Sequence, residues 1–269
     1  MEPREALVGP GLGGEPFKWH MGLRPTPEET WLQLDAERDF YLGSKTGPRR
    51  VALAGSYQGS LTLARAIIDN LAAYHGIDAM LDTDQHPIDA AGDLVQEDLC
   101  LMQRRDDSWR LIAASVHFPS GWDPRTKLGS SLAAIHEQVP RFEADLGDRP
   151  VRFLDRLPVG SVMERSVWAL SETSSLAQDR GHQNADSTVV PADIYLRVER
   201  QTLRRLVEAD LIAFTIRVHR WPLSHINRDV ELASALIGAL DSLPDDVARY
   251  KSTTARLRDS AIRYLGNAN

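Results

Sequence analysis

Leu128, Leu132 and His136 recur at intervals of four, a spacing that on one helix sets two leucines and an imidazole along a single apolar face. A neutral imidazole in apolar surroundings is what a haem iron takes as its proximal ligand, and the second ring nitrogen then needs an acceptor that fixes the tautomer. A core histidine satisfied by a backbone carbonyl answers to the same spacing, which does not choose between the two. Lys127 stands just before this face, where its ammonium reaches a carboxylate such as a haem propionate or, as helix lysines commonly do, points to solvent.

A second group lies in Leu196-Arg197-Val198-Glu199-Arg200-Gln201-Thr202-Leu203, whose β-type alternation sets Arg197, Glu199 and Gln201 on one face and Val198, Arg200 and Thr202 on the other. Charge mixed with β-branched packing is the pattern of a polar residue facing a cavity, and equally that of an edge strand facing water. His117, His182, His219 and His225 form no paired metal-binding spacing. Neither a nucleophile elbow nor a phosphate-binding glycine loop follows a strand. The single cysteine, Cys100, supplies neither an internal disulfide nor a thiolate zinc site.

The 269 residues are 42% hydrophobic and 26% charged, which suits a packed core. A formal net charge of −7 gives no general attraction to nucleic acid or anionic lipid, and Arg204-Arg205 alone reads as a solvated face. With no basic-then-apolar leader and no apolar run of membrane-spanning length, the expected address is the cytoplasm, with neither nucleic acid nor membrane as partner.

Residues 1–16, rich in Gly, Pro and Glu, suggest a loose arm, and 17–269 a single domain. Pro27-Glu28-Glu29 opens a helical pattern through Trp31, Leu34, Arg38 and Tyr41. Ser60 is expected to cap a helix with Leu63, Ile67, Ile68, Leu71 and Tyr74 on one face, ended by Gly76. Residues 98–102 and 109–113 predict a hairpin, 124–139 a helix and 142–157 another with Phe153 and Leu157 inward. Strands are expected over 165–170, 194–206 and 211–218, then two closing helices, while the polar stretch 171–187 suggests a surface loop or lid. The order predicts an α+β fold with a mostly antiparallel sheet covered by helices.

Three ordered blocks carry a family resemblance: Val95-Gln96-Glu97-Asp98-Leu99-Cys100-Leu101; Leu128-Gly129 with Ile135-His136-Glu137-Gln138-Val139-Pro140; and 196–206. Over 17–265 the chain resembles the haem-dependent oxidative N-demethylase alpha-subunit-like family. The resemblance implies a PAS-like sheet enclosing haem b, with His136 as proximal iron ligand. It implies that haem and O2 oxidise a small amine, dimethylamine in the characterised branch, to methylamine and formaldehyde. Electrons would come from NADPH through separate flavin and iron–sulfur subunits, and one cysteine cannot hold such a cluster here.

On that resemblance Glu199 would orient an ammonium substrate or Arg200 polarise oxygen, Arg165 and Arg217 would neutralise propionates or, as strand arginines commonly do, make surface salt bridges, and Trp168 would stack near the porphyrin or serve as plain core. Two positions depart from the family pattern: Arg165-Ser166-Val167-Trp168 has Val where an Asn is usual, and His219 stands where an aromatic is usual. Loss of the amide would reshape a polar pocket if Val167 faced it. A haem-based PAS gas or redox sensor and a haem-free binding subunit are the alternative functions.

Overall fold

The computed structural model describes residues 2–7, 17–46, 50–178, 189–207, 210–251 and 253–267. Among the described residues seven strands form one sheet: β1 (Arg24–Pro25), β2 (Arg50–Ala52), β3 (Asp98–Arg105), β4 (Ser108–Ser115), β5 (Val162–Ser171), β6 (Tyr195–Arg205) and β7 (Leu211–Pro222). The order is β1-β5-β6-β7-β3-β4-β2, and every pairing between these strands is antiparallel. The α+β reading therefore holds, as do the 98–113 hairpin and the three later strands.

The helices before the second half of the sheet are α1 (Pro3–Ala6), α2 (Arg38–Ser44), α3 (Tyr57–His75), α4 (Pro87–Gly92), α5 (Leu132–His136), α6 (Phe142–Asp145) and α7 (Arg149–Arg156). After β7 come α8 (Leu223–Ile226), α9 (Val230–Ser242), α10 (Asp245–Tyr250) and α11 (Thr254–Gly266). The expected closing pair corresponds to the two 13-residue helices α9 and α11, with two short helices added.

Strand alternation gives the sheet two differently covered faces. On one, Trp168, Leu170, Leu196 and Val198 pack against α9 and α11, while Leu99, Leu101, Leu211 and Ala213 pack against Leu63, Ile67 and Leu71 of α3. On the other, Cys100, Met102, Leu111 and Ile212 lie under Leu132 and Ile135 of α5 and Leu154 of α7. The second face is the one that carries His136.

Several local expectations yield to longer-range packing. The helix expected over 124–139 is split: Pro124–Thr126 makes one 3-10 turn, Gly129 adopts φ +78°, and Ser131 bridges to Arg110 before α5 begins. Leu128 and His136 are thus not on one helix, although Leu128 still joins the same apolar cluster. The 27–41 pattern divides into a 3-10 turn at Glu28–Thr30 and α2, because the intervening backbone is held by side chains from elsewhere: Gln33 N donates to Glu97 and Asp35 N to Gln96.

Ser60 lies inside α3 and is buried; the helix starts three residues earlier, and Tyr74 faces solvent. Gly76 does end that helix, at φ +64°. The 142–157 stretch forms two helices, α6 and α7, separated at Gly147 with φ +55°. In the stretch expected to be a loose arm, α1 instead docks Ala6 into the core and Arg4 onto Asp229 and Glu231; residues 8–16 lie outside the described residues, as do 179–188 of the expected polar loop.

Candidate functional site

Ser131 starts α5: its Oγ accepts from Ala134 N at 3.3 Å, an N-cap contact worth about 1 kcal/mol in a helix of this kind. The short helix leaves His136 in its last turn, with Nδ1 2.8 Å from the Leu132 carbonyl four residues back. That contact makes Nδ1 the donor and leaves Nε2 without a hydrogen bond among the described residues. The Phe142 ring lies parallel to the imidazole, 4.5 Å away and 12° from coplanar, restricting its rotation. Burial pushes the His136 pKa below its ordinary value; the Leu132 carbonyl opposes this, and Arg165 and Lys127 add to it. The imidazole is accordingly neutral near pH 7, with one nitrogen free to coordinate.

On the same sheet face, β5 and β6 place Arg165 opposite Gln201, Val167 opposite Glu199 and Ala169 opposite Arg197. Arg165, Gln201, Glu199 and Arg197, joined through Ser120, form a continuous polar row. Arg165 Nε donates to Gln201 Oε1 at 2.9 Å, and Gln201 Nε2 donates to Glu199 Oε2 at 3.1 Å. The Ser120 hydroxyl donates to Glu199 Oε1 and accepts from Arg197 Nε at 2.8 Å. Arg197 also donates to the Phe118 carbonyl at 2.9 Å, so this guanidinium is held by neutral acceptors. The predicted alternation of Arg197, Glu199 and Gln201 is correct, and Val167 falls opposite Glu199.

The remaining sequence candidates separate from this row. Arg200 points through the opposite face: Nε lies 2.8 Å from Glu164 Oε2, and Nη2 and Nη1 donate to the Thr30 and Trp31 carbonyls at 2.7 and 3.2 Å. Arg217 is fully buried on that face, 3.1 Å from Asp35 Oδ2 and 3.6 Å over the Tyr41 ring. Trp168 belongs to the core under α9 and α11. These three are occupied in holding the 30–41 segment and the closing helices to the sheet. Lys127 closes the 3-10 turn ahead of α5, close enough to act electrostatically on His136.

His219 lies within β7, its Nε2 3.0 Å from Gln33 Oε1 and its ring stacked 5.6 Å from Trp221. Burial, reinforced by Arg217, lowers its pKa from 6.5 to about 3. A depressed folded-state value means the unfolded chain takes up the proton first, so this contribution is complete above about pH 6.5 and is lost as pH falls toward 3. At pH 5 the loss is about 2 kcal/mol. Urea denaturation at pH 7 and 5 should show His219→Gln losing less stability on acidification than the wild type; equal losses would place the titration elsewhere.

Ser120, Phe142 and Lys251 were not singled out by sequence pattern. Lys251 follows α10; its Nζ donates to the Trp168 carbonyl at 2.5 Å and lies within electrostatic reach of Glu199. A separate open cleft of about 460 Å³, lined by Pro25, Glu28, Phe153, Arg156, Ser161 and Met163, touches neither His136 nor Glu199. Among the described residues no three His, Cys, Asp or Glu side chains cluster as a metal site, and no helix is long and apolar enough to cross a membrane. Haem, which brings its own four nitrogens, asks the protein for an axial donor and partners for its propionates. His136 Nε2 and the Arg165 and Lys127 cations fit those requirements.

These features define an α+β protein with a neutral, oriented imidazole and a partly buried polar row on one covered face of an antiparallel sheet. The family described as haem-dependent oxidative N-demethylase, alpha subunit-like, matches residues 57–261, a span that includes every residue of the imidazole and polar-row arrangement. The chain belongs to that family.

Proposed function

We propose that this chain is the haem-bearing catalytic subunit of an oxidative N-demethylase, a single domain over 17–269 that takes haem b with His136 as axial ligand. The observation that carries the reading is the His136 arrangement, with Nδ1 committed to the Leu132 carbonyl, a parallel Phe142 ring, and Nε2 open. Arg165 and Lys127 would hold the propionates. When bound, haem supplies the activation of O2 that no side chain of this chain can perform.

Glu199 binds the amine. Its two oxygens are fixed by Ser120 and Gln201, and the remaining lone pairs can accept the substrate N–H. An ammonium that gives its proton to a Glu199 oxygen exposes the nitrogen lone pair needed for oxidation. Overall, an N-methyl amine, O2, two electrons and two protons give the demethylated amine, formaldehyde and water. The bond between nitrogen and the methyl carbon breaks, that carbon is oxidised to formaldehyde with one oxygen atom, and the other oxygen atom is reduced to water. The electrons come from separate flavin and iron–sulfur subunits, in a cytoplasmic assembly, because a lone buried Cys100 cannot ligate a cluster.

The test is simultaneous O2 uptake and formaldehyde release by haem-replete protein supplied with a reductase and a panel of N-methyl amines. Stoichiometric, amine-dependent formaldehyde is expected. A haem protein that binds O2 or CO reversibly but releases no formaldehyde from any amine would be a sensor instead.

A further inference from the structure

We propose that the substrate is an N-methyl amino acid, bound as a zwitterion with its ammonium on Glu199 and its carboxylate on Lys251. This rests on the N-demethylase reading and narrows it to a substrate class. The Lys251 ammonium has three N–H groups, and among the described residues one is used, on the Trp168 carbonyl. It sits against two indoles, 4.7 Å from the Trp168 ring centroid and 5.6 Å from that of Trp19, with no carboxylate of the described residues in ion-pair range. A partly buried lysine with no anionic partner among the described residues is an unusual arrangement unless an anion arrives. Burial lowers its pKa to about 8, which leaves it mainly charged at neutral pH, and among the described residues Glu199 is the carboxylate that acts on it electrostatically.

The charges on this side of the sheet support the same conclusion. Glu199 acts electrostatically on Arg165, Arg197 and Lys251, and Asp98 acts on Arg197 as well. Two haem propionates would match Arg165 and Lys127. With Asp98 set against Arg197 and Glu199 against Lys251, a zwitterion leaves the balance unchanged, whereas a bare dialkylammonium adds a positive charge. Val167, opposite Glu199 in the β5–β6 register, adds an apolar side chain where N-methyl groups would lie when the nitrogen engages Glu199.

Calorimetric titration of the haem-replete protein with N,N-dimethylglycine, dimethylamine and acetate tests the assignment. N,N-dimethylglycine is expected to bind at least tenfold more tightly than either fragment. Lys251→Met should bring it down to the affinity of dimethylamine, and Lys251→Arg should keep part of the preference. The wild-type comparison decides the matter even if Lys251→Met does not fold. Dimethylamine binding as tightly as N,N-dimethylglycine overturns the carboxylate contact with Lys251, and acetate binding as tightly overturns the ammonium contact with Glu199. Failure of all three to bind also overturns the proposal, while a normal Soret band in that sample leaves the haem reading standing.

Discussion

Arg200→Met is expected to destabilise the protein by about 3–5 kcal/mol, a fall of roughly 6–20 °C in Tm, because it strands a buried carboxylate. Arg200 and Glu164 have side-chain exposures of 2% and 7%, and their contact of 2.5 Å is supplemented by the bonds from Arg200 to the Thr30 and Trp31 carbonyls. Arg24, itself half exposed, is the remaining partner of Glu164 and cannot replace the lost charge from within the core. The double variant Arg200→Met/Glu164→Leu should recover a substantial part of the loss, since removing both charges spares the desolvation that removing one exposes. Thermal denaturation of the cycle reads this directly. If Arg200→Met instead kept its Tm and lost turnover, Arg200 would be a catalytic residue and the structural assignment would be wrong.

Glu199→Gln should show the opposite pattern. Loss of the proton acceptor is expected to lower kcat by about 10²–10⁴-fold. The amide can still accept from the Ser120 hydroxyl, so the stability cost should stay near 1 kcal/mol, or about 2–4 °C in Tm. Haem content should be unchanged. Steady-state formaldehyde production with a good N-methyl amine, measured beside haem stoichiometry and Tm, separates the effects; an unchanged kcat would remove Glu199 from proton transfer.

Much of the sheet was legible in the sequence because its strands are long and their alternation is local. The 98–113 hairpin, β5, β6 and β7 all lie where the apolar and β-branched residues predict, and the alternation of β6 correctly sets Glu199 apart from Arg200. Which of those two lies on the imidazole's side of the sheet was not legible, because β6 carries polar side chains on both faces and the answer depends on which helices cover each side. Likewise, i, i+4 spacing suggested one helix from Leu128 to His136, but Gly129 at φ +78° breaks it and a strand-like bridge at Ser131 restarts the chain. The spacing of four did contain the missing acceptor: in the last turn of a helix, an imidazole can return to the carbonyl of residue i−4, here Leu132.

Other parts of the site depend on contacts across long stretches of chain. Ser120 meets Glu199 across 79 residues and Lys251 meets the Trp168 carbonyl across 83, separations that no periodicity encodes. Arg217 and Trp168, chosen as cofactor contacts, have types that suit that role, but their strand parity sends them to the face covered by α2, α9 and α11. Parity was readable within each strand; the partner layer was not.

The central claim is that His136 carries haem through Nε2. The most direct test is the absorption spectrum of protein purified from haem-supplemented cells, as prepared, reduced and with carbon monoxide, for wild type and His136→Ala. The account predicts a Soret band in the wild type that shifts with carbon monoxide, and its loss or alteration in the variant with the fold retained by circular dichroism. No Soret band in the wild type, or an identical spectrum in a folded His136→Ala protein, would contradict it.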